Sequence, residues 1–338
     1  MFDLNTNYIK MKTVEKIKPI EVLKKKARIE PMPEKRVVER MEQIIKKILV
    51  PVDFSQTSDF ASFGAAAMAN VLNSELYLIH VIDYKDVNFT IVPESKDSRL
   101  PIADVELKAY EKLNELRLLI EDKSGIKCRI YVTEGSIEGE IIKFAKQKMA
   151  DLIIMGTHGV SGYKEVLLGS NAQRVVSHSD VPVLTMKKDD SYSEFKNILL
   201  PIDDSPHSRE KVNIATEIAE IYGSDIHLLG LPGSKDIAEL RAMKIKIESV
   251  EKILIRDEIP FKSEIILDES YLAQAALDYA SKYKCDLIVI NAGSESKLGG
   301  GLPGPFTHQI VNHSKVPVLS VKPTEDSLFI SAPGFGIS

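Results

Sequence analysis

The sequence predicts an α/β protein made of two tandem, doubly wound, open parallel sheets, and three observations carry that reading. The chain repeats itself: ILVPVDFS at 48–55 returns as ILLPIDDS at 198–205, and SHSDVPVLTMK at 177–187 returns as NHSKVPVLSVK at 312–322. The offsets are 150 and 135 residues, so the later copy is shorter by 15. Solenoid repeats run about 20–50 residues, so a period this long means duplicated domains. Within each copy, short apolar runs alternate with helical patterns, which predicts a parallel sheet covered on both faces. Finally, 338 residues with 44% hydrophobic content allow two domains of ordinary size, each with its own core.

In the first copy the candidate strands are KILVPV at 47–52, ELYLIHVI at 75–82, KCRIYV at 127–132, ADLIIM at 150–155 and VPVLTM at 181–186. Helical patterns lie between them at about 56–72, 102–123, 137–148 and 169–178. The second copy repeats the strands as NILLPI at 197–202, DIHLLG at 225–230, KSEIIL at 262–267, CDLIVI at 285–290 and VPVLSV at 316–321. Such sheets bind ligands outside the carboxyl ends of their strands, where the strand order reverses. Asp53 and Gly156 are expected just beyond strand ends, on that rim. Four segments follow: a basic extension at 1–45, a first domain at 46–190, a second at 195–323 and a tail at 324–338.

Residues 156–170 read GTHGVSGYKEVLLGS, directly after LIIM at 152–155. A glycine, two residues, a second glycine, nine residues and then Gly169-Ser170 open a helical stretch. Glycines let backbone N–H groups approach an anion, and a helix N-terminus adds unpaired donors and a partial positive charge. The pattern GxxxxGK[ST] occurs nowhere in the chain, so this is not a P-loop.

This spacing resembles the ATP-binding signature of the universal stress protein family. The resemblance implies a five-stranded, Rossmann-like, adenine-nucleotide-binding sheet in each domain. It also implies roles for individual residues. Asp53, after Pro51 and Val52, accepts hydrogen bonds from both ribose hydroxyls, while Pro51 and Met155 offer apolar surface to the adenine face. HVID at 80–83 nominates the carbonyl of Val81 as reader of the adenine amino group. Gly156 and Gly159 supply backbone contacts to ribose and phosphate, Gly169 and Ser170 hold the outer phosphates, and Asn171 adds a polar contact. The implied ligand is ATP, with ADP and AMP as alternatives and Mg²⁺ as a companion ion. Plainer readings stand beside these: glycines at a strand–helix turn often serve turn geometry alone, and an aspartate after a strand often only caps a turn. His158 lies between the glycines with no acid or serine partner placed near it, and reads as a loop residue.

The second copy departs from the pattern. Alignment of its VPVL with the first puts Asn291 at Gly156, Ser294 at Gly159, Gly304 at Gly169 and Pro305 at Ser170, while Asp203 remains at Asp53. Proline has neither N–H nor hydroxyl, so two phosphate donors are lost at one position. GGGLPG at 299–304 satisfies GxGxxG but lacks the first-strand setting of a dinucleotide fold.

Composition narrows the remaining classes. There is no run of 18 apolar residues and no signal-peptide core, which points to a soluble, cytoplasmic protein without membrane contact. Cys128 and Cys285 occupy non-equivalent positions, and the seven histidines show no HxH or HExxH spacing, so neither a disulfide framework nor a zinc centre is expected. Residues 1–47 hold thirteen Lys/Arg against seven Asp/Glu; with a net charge of −5 overall, that surplus of six leaves −11 for the remainder. The basic segment reads as a solvated extension, nucleic acid or anionic lipid being the alternative. The favoured function is an ATP-binding stress or regulatory module; the alternative is a slow ATP hydrolase or phosphoryl-transfer enzyme using the same cradle. After the first strand the chain reads DFSQTSD, without the paired glycines of an SGGxDS-type loop, which argues against pyrophosphatase chemistry. The family's pairing through the last strand implies that VPVLTMK and VPVLSVK join the two domains within one chain, with a homodimer or a protein partner as further associations.

Overall fold

The computed structural model describes residues 45–83, 102–157, 169–187, 194–203, 209–267, 271–292 and 304–322. Residues 1–44 of the basic extension and the C-terminal tail lie outside the described residues, as do Gly159, His158 and Ser294. The first half runs β1 (Lys47–Pro51), α1 (Gln56–Leu72), β2 (Glu75–Ile82), α2 (Ile102–Ser124), β3 (Cys128–Glu134), α3 (Ile137–Lys148), β4 (Leu152–Gly156), α4 (Ser170–His178) and β5 (Val183–Met186). The second half repeats it as β6 (Asn197–Ile202), α5 (Arg209–Tyr222), β7 (Asp225–Gly230), α6 (Ile237–Arg256), β8 (Phe261–Ile265), α7 (Leu272–Tyr283), β9 (Leu287–Asn291), α8 (Pro305–His313) and β10 (Val318–Val321).

Element ends follow local chemistry. Ser55 caps α1 by accepting from the Ser58 N–H, and Ser136 caps α3 by accepting from Gly139. Asn73 and Met149 end the same helices in the left-handed region. Several strands start later than the apolar runs suggest. Pro182 and Pro317 have no N–H for the ladder, so β5 and β10 begin one residue after each. Asp151 is spent as a clasp, one carboxylate oxygen accepting from the N–H groups of Lys46 and Lys47; Asp286 does the same for Lys196 and Asn197.

The strands lie in the order β3-β2-β1-β4-β5-β10-β9-β6-β7-β8. Each half is parallel throughout, and the two expected five-stranded sheets meet at their last strands to make one continuous sheet of ten. The join is antiparallel, with Thr185 opposite Val318, Leu184 opposite Leu319 and Val183 opposite Ser320. Leu184 and Leu319 are equivalent positions of the sequence repeat, so a pseudo-two-fold axis passes between them. The Thr185 hydroxyl donates to the Val318 carbonyl at 3.2 Å, Lys187 reaches the Asn312 carbonyl at 2.9 Å, and Lys322 pairs with Asp180 at 2.7 Å. One face of the sheet is covered by α1, α2, α5 and α6, packed on Ile48, Val50, Ile198 and Leu200. The opposite face is covered by α3, α4, α7 and α8, packed on Leu49, Ile153, Leu199 and Ile288.

Leu319 is buried at the centre of the join. Leu319→Ala should lower the unfolding free energy by about 2–5 kcal/mol, measured by urea titration; a change inside about 0.5 kcal/mol would mean the join contributes nothing to stability.

Candidate functional site

The strand order reverses between β1 and β4, because the chain leaves β1 toward β2 and returns on the other side. The two strands pair only at Ile48–Leu152 and Leu49–Ile153, and the segments that leave their carboxyl ends diverge. On the β1 side, Val52 is still tied to the sheet, its N–H donating to the Ile79 carbonyl at 2.8 Å. Asp53 then leaves the sheet. One of its carboxylate oxygens accepts from the Ser55 N–H at 3.0 Å; the other takes no partner among the described residues and remains an acceptor. Phe54 between them has φ +62, the left-handed region that a bulky side chain seldom enters.

His80 lies beneath this turn and is 4% exposed. Its Nδ1 is 2.7 Å from the Val52 carbonyl, and since a carbonyl only accepts, that nitrogen carries the proton. The ring lies against Phe54, centroids 4.4 Å apart, and the Lys112 ammonium sits 5.6 Å over the Phe54 ring. Burial holds the His80 imidazole below its ordinary pKa, against the opposing pull of the Val52 hydrogen bond and the Asp53 charge. Asp59, in the first turn of α1, is held above the usual carboxylate range by burial first and by Asp53 second.

On the β4 side, the Thr157 N–H donates to Met186 at 2.9 Å and its carbonyl accepts from the Gly169 N–H at 2.7 Å. The Gly169 N–H is thus already engaged with Thr157 in this structure. What remains is the start of α4. Gly169 is its N-cap and has no side chain to cap with, and the first helical bond runs from Gln173 to Gly169. The N–H groups of Ser170, Asn171 and Ala172 therefore have no intrahelical acceptor. The Ser170 side chain is exposed and that of Asn171 half-buried.

The other nominated residues divide. Val81 is well placed: Val52 uses the Ile79 carbonyl and Gly135 uses that of Ile82, so alternation turns the backbone of Val81 toward the β1 side, past the end of β1. Pro51 is half-buried, but Met155 is only 6% exposed and gives most of its side chain to the core, as does Val52. Gly156 closes β4 rather than lying beyond it, and a Cβ there would stand 2.9–3.0 Å from the Thr57 side chain and backbone. Close helix–strand packing thus requires that glycine, whatever else it contacts. His80 and the left-handed Phe54 were missed by sequence reasoning; HVID drew attention to Val81 alone, and nothing marks a phenylalanine for positive φ.

The second crevice, between β9 and β6, is built differently. Lys211, at the Ala61 position, is 2% exposed and donates to the Pro201 carbonyl at 2.8 Å; burial pushes its ammonium down to about 8 despite the Asp203 charge. Lys246 donates to the Asp203 carbonyl at 3.1 Å. Both polar atoms of the Asn291 side chain are buried without a partner among the described residues, and Thr307 directs its hydroxyl at the Asn291 carbonyl. Pro305 is the first residue of α8, a position where its missing N–H costs no helical bond. Elsewhere, Cys128 and Cys285 are buried with thiols pushed up to about 12, and no helix among the described residues is long and apolar enough to cross a membrane.

The His80 shift has a consequence for stability. Its folded pKa lies below the ordinary value near 6.5, so the neutral ring's contribution is complete above that pH and is lost as pH falls through the folded value. Thermal denaturation at pH 4–7 should show the wild type losing more stability on acidification than His80→Asn; parallel curves would mean His80 does not titrate with folding.

Comparison with known proteins agrees with this architecture. The sequence model of the universal stress protein family matches residues 45–187 and again 194–322. A universal stress protein of Methanocaldococcus jannaschii is 34% identical over 152 residues, covering 45% of this chain and 88% of that one. One from Mycolicibacterium smegmatis is 24% identical over 293 residues, covering 82% and 97%. The crystal structure of a universal stress protein from Archaeoglobus fulgidus superposes with a TM-score of 0.65 at 25% identity, covering 85% of this chain and 99% of that one. The chain, with its α/β fold and its two copies of the domain, belongs to the universal stress protein family.

Proposed function

We propose that the first domain binds an adenine nucleotide, ATP in the first instance with ADP and AMP as alternatives, and that occupancy sets the protein's conformation or its choice of partner, a protein or a second copy of the chain. The observation that carries this reading is the uncapped start of α4, tethered through Gly169 to Thr157 beside the turn that presents Asp53. Helix N-termini of this kind attract phosphate through orphan N–H groups and the helix dipole. Asp53 has a carboxylate oxygen to spare for ribose hydroxyls. Val81 has a backbone carbonyl turned past β1 that suits the adenine amino group. In this assignment Ser170 and Asn171 hold the outer phosphates, joined by the backbone of Ala172, and Mg²⁺ accompanies the phosphates of ATP. Gly169 opens the helix beside them, Gly156 and Gly159 give backbone contacts to ribose and phosphate, and Pro51, Val52 and Met155 line the apolar side.

The second domain would not bind the same ligand. Asp203 persists, but Lys211 and Lys246 converge on the strand end beside it, and Pro305 removes the first donor of the helix. Calorimetric titration should therefore give one adenine nucleotide per chain. Asp53→Ala should weaken ATP binding by about 10-fold to 150-fold, the equivalent of one charged hydrogen-bond interaction of roughly 1.5–3 kcal/mol, while Asp203→Ala leaves it nearly unchanged. Two equivalent sites, or equal losses from both substitutions, would refute the assignment.

Ser170→Pro transfers the second domain's residue into the first. Proline is tolerated at the first helical position, so the far-ultraviolet spectrum should be retained. ATP should bind at least about tenfold more weakly, and AMP should be affected less. Normal ATP affinity would mean that the phosphates do not meet the start of α4. ATP hydrolysis is a separate question, answered by product formation over hours at millimolar ATP.

A further inference from the structure

We infer that His80 is a positioning residue for the first-domain site: it holds the Val52–Phe54 turn in the one geometry that presents the Asp53 carboxylate to a ribose. The inference rests on the nucleotide reading above and adds a residue that would not itself touch the ligand. The turn has three supports. The Val52 N–H is tied to Ile79, the Val52 carbonyl is held by His80 Nδ1 at 2.7 Å, and beyond Asp53 the Ser55 N–H binds back to the carboxylate. The residue in the middle, Phe54, is left-handed and would relax toward negative φ if nothing opposed it. What opposes it is the contact between its ring and the His80 imidazole, at 4.4 Å between centroids. One side chain thus fixes both ends of the peptide pair that flanks Asp53: the carbonyl before it by a hydrogen bond, the ring after it by a tilted ring contact.

The second copy shows the device to be specific to the first. Pro51 faces Ile79 in the register of β1 and β2, and Pro201 faces Leu229 in that of β6 and β7, so Gly230 stands where His80 does. A Cβ on Gly230 would lie 3.0 Å from Ile265 and 3.2 Å from Met243, which leaves no room for a ring. There the counterpart of the Val52 carbonyl, that of Ile202, accepts from the Leu231 N–H at 2.7 Å, and ammonium groups meet the carbonyls on either side of it, Lys211 on Pro201 and Lys246 on Asp203.

The test uses the full chain and two ligands, ATP and 2′,3′-dideoxy-ATP, which lacks the hydroxyls that Asp53 would bind. The wild type should prefer ATP by about tenfold or more. His80→Leu, which loses the donor and the flat ring, should bring that ratio close to one while the dideoxy ligand binds nearly as before. His80→Asn, whose amide nitrogen branches at the same atom as Nδ1, should recover much of the ratio. A merely structural histidine would lower both affinities together. If His80→Leu does not fold, Phe54→Ala removes the stacking partner and should reduce the ratio in the same way. A wild-type preference for ATP that survives both His80→Leu and Phe54→Ala overturns the inference alone. A ratio near one in the wild type overturns the ribose role of Asp53 and this inference with it.

Discussion

The reversal of strand order at β1 and β4 is the constraint on which the rest depends. A helix that follows a parallel strand must return over one face of the sheet, and the two segments that leave β1 and β4 return over opposite faces. Neither can cover the strand ends between them. The carboxyl ends of β1 and β4 are therefore left as a crevice, whatever side chains occupy it. The Asp53 turn forms one wall and the start of α4 the other, and the bond from Gly169 to Thr157 keeps the second wall against the first. The same reversal occurs at β6 and β9, so duplication made two crevices at the same place in the strand order.

Chemistry, not topology, separates the two. In the first, the support under the turn is an imidazole held below its ordinary pKa and tilted against a phenylalanine, and one Asp53 carboxylate oxygen takes no partner among the described residues. In the second, two lysines reach the strand end from the same side, one of them inside the core. Both ammonium groups meet backbone carbonyls there, and the Asp203 charge favours the charged form of Lys211. The antiparallel join of β5 and β10 then binds the two unlike crevices into one sheet, whose core clusters draw on both halves.

Much of this was legible in the residues. The repeats at 48–55 and 198–205 located both strand ends, and the alternation of apolar runs gave the positions of the strands along the chain closely, though not their order in the sheet; the late starts of β5 and β10 came from prolines that lie in the repeated motif but cannot enter the ladder, and β4 and β9 start equally late, beyond Asp151 and Asp286. Gly169-Ser170 marked the start of α4. The role of each residue was less legible, because it depends on which hydrogen bonds are already made. Gly169 looked like a donor and is a donor, but to Thr157. Met155 looked like an adenine platform and is nearly all core. His80 sat unread inside HVID because a period-2 pattern says which face a residue takes, not what it meets there. Lys211 falls on a helix face that should be apolar, and only the distance to the Pro201 carbonyl explains why a lysine is kept there.

The most direct measurement is a crystal structure of the full chain grown with millimolar ATP. The account predicts one nucleotide, in the first crevice, with ribose on Asp53, adenine against Val81 and the outer phosphates at the N–H groups of Ser170 and Asn171. A nucleotide in the second crevice beside Lys211, or one in the first whose phosphates point away from α4, would contradict it.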